Sequence, residues 1–224
     1  MNRLPPVSDG SRESRDGRQF AEWVLCPAAA PDGPTRYPAD MSAMHEPRAP
    51  LSDGVVVLRA WREEDAPAVA AGLTDPEFRR QALFDAPGSG QQQAADFLSR
   101  AVERDRAQLD LAIADGTQPN RVLGGCSLHS ADQVFSRVGV GYWLLPSARG
   151  MGAASRAVIL LSYWALGPLG FARVELTCGP ANTASQRVAQ LSGFTREGTL
   201  RDHVPQRGGR RDSVMWSLVA SDLA

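Results

Sequence analysis

The sequence predicts an α/β fold built on one mixed, mostly antiparallel sheet. Three strand-like segments, 109–114, 122–128 and 136–145, follow one another without a helix between them, which predicts antiparallel hairpins. A long apolar helix pattern at 153–166 then separates the third of these from a strand at 174–178, which predicts a crossover connection. Because strands and helices do not alternate from the start, a doubly wound dinucleotide fold is excluded.

Regular structure begins near Gly54. The β-branched run at 55–60 predicts the first strand, and the acidic start at 62–65 predicts a helix to about Gly72. Thr74, Asp75 and Pro76 form a helix-start pattern for a second, short helix. Residues 91–107 predict an amphipathic helix with Ala94, Phe97, Leu98 and Ala101 on one face.

The last third of the sequence continues the pattern. A helix is expected over 182–191, where Ser192 and Gly193 end it. Two final strands, at about 194–203 and 211–219, flank a turn at 205–209.

The first 50 residues differ in composition from the rest. They are rich in Pro, Gly, Asp, Arg and Ser and have no sustained period, which predicts a disordered tail at 1–50 before a domain at 51–224. A short docked helix around Trp23 and Leu25 is the alternative. Met41 and Met44 precede the first clear strand, and we hypothesise that translation begins naturally at one of them.

Bulk properties exclude several functional classes. The net charge is −1 and all 24 basic residues are arginines, so no basic field is expected to attract nucleic acid or anionic lipid. Cys26, Cys126 and Cys178 are too few and too scattered for a disulfide framework or a zinc site. With no membrane-length apolar run and no signal-peptide pattern, a cytoplasmic protein without metal is expected.

The junction at 143–154 carries the clearest chemical signal. An apolar strand leads into a turn with Gly150 and Gly152, and an apolar helix follows. The first amides of a helix lack internal partners and lie at the positive end of its dipole, and glycine lets a ligand approach closely. The pattern therefore predicts a phosphate-bearing ligand.

Several motifs together resemble the GNAT superfamily of N-acetyltransferases. They are Gly-Tyr-Trp-Leu at 141–144, Arg-Gly-Met-Gly-Ala-Ala at 149–154, and Asn-Thr-Ala-Ser at 182–185 with Gly-Phe at 193–194. The resemblance covers about 54–219 and is nearest to the branch with the bacterial ribosomal-protein N-terminal acetyltransferases. It implies splayed fourth and fifth strands with flanking helices, and acetyl-CoA as co-substrate. The implied pyrophosphate cradle is Arg149, Gly150, Met151, Gly152, Ala153 and Ala154.

The resemblance also implies roles at the thioester. The pantetheine arm would enter the gap between the splayed strands, and the amide of Leu144 or Leu145 would hold the thioester carbonyl. Asn182 matches a position that contacts the coenzyme A arm, and Ser185 one whose hydroxyl reaches the sulfur. Helix capping is the alternative for Asn182 and is compatible with that role.

Two departures affect proton transfer. Ala189 stands where many members of the family have a Tyr that serves as the general acid. Gly139 stands where members of the nearest branch often have a Glu that serves as the general base. Ser185 or solvent would then protonate the leaving thiolate. Candidates for taking the amine proton through water are His129, Asp132, Asp202 and His203.

Other candidate residues have plainer explanations. Cys178 is expected to be a small buried residue rather than a nucleophile. Trp61 belongs to an apolar pattern and is a candidate for the wall of the acceptor pocket. Acids of the first helices, Glu63, Glu64, Asp65, Asp75 and Asp85, are candidates for attracting a cationic amine.

The resulting expectation is an N-acyltransferase. It would move an acetyl group from acetyl-CoA to a primary amine, either a protein N-terminus or a small molecule, by direct attack in a ternary complex. The competing expectation is a non-catalytic, regulatory coenzyme A-binding module. Either would act as a monomer or homodimer, without nucleic acid or membrane partners.

Overall fold

A computed structural model describes residues 44–81, 90–103, 108–206 and 209–223. The predicted tail at 1–50 and the loop around 86–90 fall largely outside the described residues, and the boundary at residue 50 stays a prediction. Of the predicted tail, residues 44–50 are described and form neither helix nor strand. His45 in this segment makes an edge contact with the Trp164 ring, with centroids 5.9 Å apart.

One eight-stranded sheet organises the described residues. Its strand order is β1-β2-β3-β4-β5-β6-β8-β7. Neighbouring strands are antiparallel except β5 and β6, which are parallel. The strands are β1 (Leu51–Ser52), β2 (Val56–Arg59), β3 (Leu109–Asp115), β4 (Val122–Asp132), β5 (Arg137–Leu144), β6 (Arg173–Cys178), β7 (Thr195–Gln206) and β8 (Gly209–Val219).

Helices lie on both faces of the sheet. They are α1 (Ala66–Thr74), α2 (Pro76–Gln81), α3 (Gly90–Glu103), α4 (Ala153–Leu166) and α5 (Thr183–Leu191). Short 3₁₀ turns at Glu63–Asp65, Pro146–Ala148 and Ala220–Leu223 complete the described elements. The chain therefore has the mixed, mostly antiparallel α/β fold that the sequence predicts.

Most boundaries match the sequence expectations to within a few residues. The crossover helix at 153–166 is confirmed, and so is the cap of α2, where the Asp75 carboxylate accepts from the amide of Phe78 at 3.0 Å. The helix predicted at 62–72 is a 3₁₀ turn followed by α1. The two-residue β1 was not predicted, so the expected fourth and fifth strands are β5 and β6.

These two strands diverge as predicted. They pair only between residues 137–139 and residues 173–175, and the pairing ends at Gly139 and Glu175. Beyond that point residues 140–144 and 176–178 continue without pairing to each other. A gap therefore opens in the middle of the sheet, and it widens toward the start of α4.

The two sheet faces have different character. On one face, here named the front face, Ala112 and Trp143 pack with Trp61 of the preceding loop, Val69 of α1 and Leu98 of α3. Because side chains alternate along a strand, Gly139 and Gly141 share the front face with Trp143. Tyr142 therefore points to the opposite, back face, where it contacts α5.

Candidate functional site

The turn before α4 is shaped for close approach to its backbone. Gly150 and Gly152 have φ values of 76° and 77°, in the left-handed region that favours glycine. No atom lies within 4 Å of where a Cβ would stand on either residue, so the space above the turn is open. The first helical bond runs from the Arg156 amide to the Gly152 carbonyl at 3.2 Å. The preceding amides have no intrahelical acceptor and can bind an anion.

Arg149 links this turn to the helices before β3. Its guanidinium contacts the carboxylate of Asp75, the cap of α2, and also donates to the Leu144 carbonyl at 3.2 Å. The hydrogen bond from Arg149 holds the pKa of Asp75 below its usual range. Arg149 therefore positions the turn through its side chain, while the backbone of the turn remains open.

Two amides of β5 face the gap between the splayed strands. Leu145 donates its N–H to the Leu123 carbonyl of β4 at 2.9 Å, so it is already paired. Bonding directions alternate along an antiparallel strand, which turns the amides of Tyr142 and Leu144 away from β4 and toward β6. Of the two alternative thioester donors that the sequence predicts, Leu144 is therefore the one whose amide faces the gap. Tyr142 is an additional donor farther from the turn.

The start of α5 lies across the gap from β5. Asn182 caps the helix, and its Oδ1 accepts from the Ser185 amide at 3.0 Å, so the capping role is confirmed. The Ser185 hydroxyl lies 2.7 Å from the Tyr142 hydroxyl. Burial raises the pKa of Tyr142 to about 12, so this phenol stays protonated at neutral pH. The pair closes the back of the gap with two hydroxyl groups.

Cys178 lies at the end of β6 beside this pair. It is a buried free cysteine, and burial raises the pKa of its thiol. A thiol kept neutral is a poor nucleophile. The prediction of a small buried residue is confirmed.

Comparison with known proteins identifies this arrangement. Residues 56–195 match the family described as the acetyltransferase (GNAT) domain. The chain belongs to the GNAT acetyltransferase family. The match runs from β2 through α5 to the first residue of β7, and every site residue described above lies within it.

Individual relatives agree with this assignment. The N-acetyltransferase p20 of Bacillus licheniformis is 28% identical over 173 residues, which are 75% of this chain and 95% of p20. YdaF of Bacillus subtilis, provisionally named a ribosomal N-acetyltransferase, is 33% identical over 98 residues, 44% of this chain and 54% of YdaF. The structure of RimL, a ribosomal alpha-N-protein acetyltransferase in complex with coenzyme A, has a TM-score of 0.64 and 23% identity, covering 76% of this chain and 96% of RimL.

In this GNAT domain the front face carries an aromatic wall. Trp143 stacks on Trp61, with centroids 6.0 Å apart and planes 5° apart, and meets the edge of Phe78. Trp61 is only 6% exposed, so it packs against the Trp143 ring in the core and does not line a pocket. Trp143, by contrast, is partly exposed.

A cavity opens next to α2. It is lined by α2, by the loop and helix start after β6, and by both strands of the terminal hairpin. The lining residues that matter here are Glu77, Arg80, Asn182, Gln206 and Arg211. Arg211 donates to the Gln81 carbonyl at 3.3 Å and so bridges the hairpin to α2. Since Asn182 lies in its wall, the cavity reaches the start of α5.

The acids proposed to attract an amine have other partners. Asp65 forms a buried ion pair with Arg59, with contacts of 2.7 and 2.9 Å, and also accepts from the Arg62 amide. Burial alone would raise the pKa of Asp65, but these hydrogen bonds lower it overall. Asp65 is therefore a structural residue, as is Asp75. Glu63 and Glu64 are exposed, and Asp85 falls outside the described residues.

The four proton-transfer candidates lie in different places. Asp132 caps the exposed β4–β5 turn and contacts Arg137, and Asp202 and His203 belong to the terminal hairpin. Only His129 lies on the front face of β4 beside Gly139 and Gly141. The sequence did not indicate Tyr142 as a site residue, although its place in the Gly-Tyr-Trp-Leu motif was visible.

The described residues hold neither a metal-ligand cluster nor a membrane-spanning helix. No three His, Cys, Asp or Glu side chains there cluster as metal ligands. No helix in the same ranges is long and apolar enough to cross a membrane.

Proposed function

We propose that this GNAT acetyltransferase moves an acetyl group from acetyl-CoA to a primary amine by direct attack in a ternary complex. The observation that carries the proposal is the coincidence of an open, glycine-lined helix start with a splayed strand pair whose free amides face the gap. The first feature suits a pyrophosphate, and the second suits an extended arm that ends in a thioester.

The binding half rests on the backbone. Amides at 150–154 would hold the pyrophosphate, because the helix start offers donors and no side chain stands above Gly150 or Gly152. The arm would follow the gap along β5, paired with the amides of Leu144 and then Tyr142. Asn182, whose side chain also caps α5, would contact the arm from the other side of the gap.

The transfer half rests on donors that face the thioester. An amide of β5 would stabilise the oxyanion as the amine attacks, with Tyr142 or Leu144 as the donor. The carbon–nitrogen bond forms, the carbon–sulfur bond breaks, and the electron pair leaves on sulfur. The Ser185 hydroxyl would protonate that thiolate, and Tyr142 would replenish its proton across the 2.7 Å hydrogen bond.

Two kinds of amine acceptor are compatible with the site. The cavity between α2 and the terminal hairpin is open to solvent, which suits a protein N-terminus that enters end-on. The name of RimL describes an acetyltransferase of protein α-amino groups. A small-molecule amine that fills the same cavity is the other member.

The test is coenzyme A release measured against a panel of amines. Peptides with free α-amines, the same peptides with blocked α-amines, lysine-side-chain peptides and small polyamines would each be incubated with acetyl-CoA. Because the chain contains no lysine, enzyme self-acetylation on lysine adds no background. We expect turnover with at least one free primary amine, no turnover with its blocked form, and intersecting initial-velocity lines.

Parallel lines would contradict direct attack, since they indicate an acetylated enzyme. Coenzyme A binding without release above background across the whole panel would contradict amine acetylation. Turnover confined to the free α-amine peptides would select the N-terminal acceptor, and turnover confined to polyamines would select the small-molecule one.

A further inference from the structure

The imidazole of His129 covers two glycines of the neighbouring strand. An ideal Cβ on Gly139 would lie 2.6 Å from His129 Cε1 and 3.2 Å from Nε2. A Cβ on Gly141 would lie 3.4 Å from Nε2 and 3.4 Å from Cδ2. The ring therefore fills the space that side chains at both positions would occupy, and its Nε2 lies above the backbone that leads to Tyr142.

This position is at the closed end of the gap, where the pairing of β5 with β6 stops. Gly139 is the last residue of β5 that pairs with β6, and the amide of Tyr142, three residues on, faces the opening. The ring stands on the front face, the same face as the Trp143 wall, whereas Ser185 and Tyr142 meet on the back face. A thioester in the gap would have a hydroxyl donor behind it and an imidazole in front of it.

The residue that follows His129 has an unusual backbone conformation and contacts the ring. Ser130 has a φ of 52°, in the left-handed region that non-glycine residues seldom adopt, at an irregularity of the β4–β5 register. The Ser130 hydroxyl lies 3.2 Å from His129 Nδ1. With Nδ1–H donating to that hydroxyl, the lone pair of Nε2 is free.

The charges around the ring are few. On β3, Asp110 lies opposite Ser127 on the same face, held by Gln108 at 2.9 and 3.0 Å and near Arg100 of α3, and burial raises its pKa. On β6, Glu175 lies opposite Gly139 and is held by Arg173 at 2.8 Å and by Arg137 of β5 at 3.7 Å. On β5, the positions beneath the ring are glycines. Burial lowers the pKa of His129 below 6.5, so the imidazole is neutral at physiological pH.

We propose that His129 is the general base of the acetyl transfer, taking the proton of the attacking amine at Nε2 directly or through one water. This proposal rests on the acetyl transfer proposed above. As the carbon–nitrogen bond forms, the amine proton moves to Nε2. The electron pair of the carbon–sulfur bond leaves on sulfur and is protonated from Ser185. The imidazolium then returns its proton to solvent.

The test measures the pH dependence of kcat for the wild type and for His129→Gln. We expect kcat of His129→Gln to fall about 100-fold at neutral pH, within the usual range for a general base. The wild type should lose activity as the pH falls through the pKa of His129, because protonation removes the base. This loss of activity below pH 6.5, the acid limb of the pH profile, should be absent from His129→Gln. The affinity for acetyl-CoA and the unfolding temperature should change little.

The matched control is His45→Gln, an exposed histidine before β1 that contacts the Trp164 ring. It should keep both kcat and the loss of activity at low pH. A loss of activity at low pH that persists in His129→Gln would overturn the proposal.

A rescue variant distinguishes a chemical role of His129 from a structural one. A carboxylate at position 139 would occupy the volume of the ring, so His129→Ala with Gly139→Glu should recover at least tenfold of the kcat lost in His129→Ala alone. Its acid limb should shift down toward the range of a carboxyl group. A merely structural histidine would not be rescued in this way, and failure of the rescue with both variants folded would overturn the proposal.

Failure of the His129 proposal can be distinguished from failure of the proposed acetyl transfer. A wild type that acetylates no amine refutes acetyl transfer itself. A wild type that acetylates an amine, with a pH profile unchanged by His129→Gln, refutes only the role of His129.

Discussion

At the scale of single residues, the hydroxyl pair of Ser185 and Tyr142 carries the proposed protonation of the leaving thiolate. These residues are 43 positions apart in sequence, and the splay of β5 from β6 leaves room for their side chains to meet at 2.7 Å. Ala189 takes the place of the tyrosine that the family resemblance led us to expect on α5. The structure places the Tyr142 phenol next to Ser185 instead.

Removal of the Ser185 hydroxyl should therefore lower turnover more than binding. We expect Ser185→Ala to lower kcat by about 100-fold with a smaller change in the KM for acetyl-CoA, because a donor to the thiolate acts mainly in the transition state. Tyr142→Phe should lower kcat less, by about tenfold, since Ser185 remains. Tyr163→Phe on α4 is the matched control and should keep the wild-type rate. Equal rates for Ser185→Ala and the wild type would remove Ser185 from the mechanism.

The buried pair of Arg59 and Asp65 is a residue-scale feature that acts on stability. Both side chains are 5% exposed or less, so removing one charge leaves the other uncompensated. The pKa of Asp65 is lowered in the folded state, so its contribution is present above about pH 4 and is lost as the pH falls through the folded-state value.

We expect Asp65→Asn to cost about 3 kcal/mol of unfolding free energy at pH 7. Its unfolding free energy should fall less than that of the wild type between pH 5 and pH 2. Denaturant unfolding at several pH values checks both effects. Glu64→Gln, an exposed partner of Arg62, is the control and should cost under about 0.5 kcal/mol. A loss of the same small size for Asp65→Asn would contradict this account of the pair.

At the scale of elements, α1 and β4 make room for the Trp143 ring with glycines. A Cβ on Gly72 of α1 would lie 2.1 Å from the ring, and one on Gly125 of β4 would lie 2.6 Å from its Nε1. Alanine is normally the better helix residue by about 1 kcal/mol. Here close packing of the helix on the ring outweighs that preference.

Gly72→Ala should therefore destabilise the domain, by about 1–3 kcal/mol, because overpacking displaces the ring or the helix. The measurement is a double-mutant cycle with Trp143→Leu, in which Gly72→Ala should cost less once the ring is gone. If Gly72→Ala stabilises the otherwise wild-type domain, the packing account of α1 is wrong.

Another element-scale contact joins the two halves of the site. Arg149, at the turn before α4, contacts Asp75 at the cap of α2, across 74 positions of sequence. The turn proposed to hold the cofactor is thus connected to the helix that lines the cavity proposed for the acceptor.

At the scale of the whole molecule, local patterns predicted the fold well. The consecutive strands, the crossover helix and the glycine turn each depend on neighbouring residues, so the sequence displays them directly. The splay of the strands was expected from the family resemblance. The two-residue β1 was missed because Leu51 and Ser52 form no pattern of their own and pair only with β2.

Only those parts of the candidate site that depend on neighbouring residues could be predicted from the sequence. The turn at 149–154 and the cap at Asn182 are local, whereas the contacts of Tyr142 with Ser185 and of His129 with Gly139 depend on register and on helix placement. Leu144 and Leu145 are alternative donors from the sequence because sequence alone does not show which amides of a strand face its neighbour. The register with β4 decides that Leu144 faces the gap and Leu145 does not.

The central claim is that the turn before α4 holds the pyrophosphate of coenzyme A. It is tested most directly by calorimetric titration of acetyl-CoA into the wild type, Gly152→Glu and Gly193→Glu. Gly152 and Gly193 both have positive φ, 77° and 80°, so either substitution adds similar backbone strain, about 1–2 kcal/mol, and one negative charge. We predict one-to-one binding by the wild type and by folded Gly193→Glu, with no measurable binding by folded Gly152→Glu. Wild-type affinity in Gly152→Glu would contradict the claim.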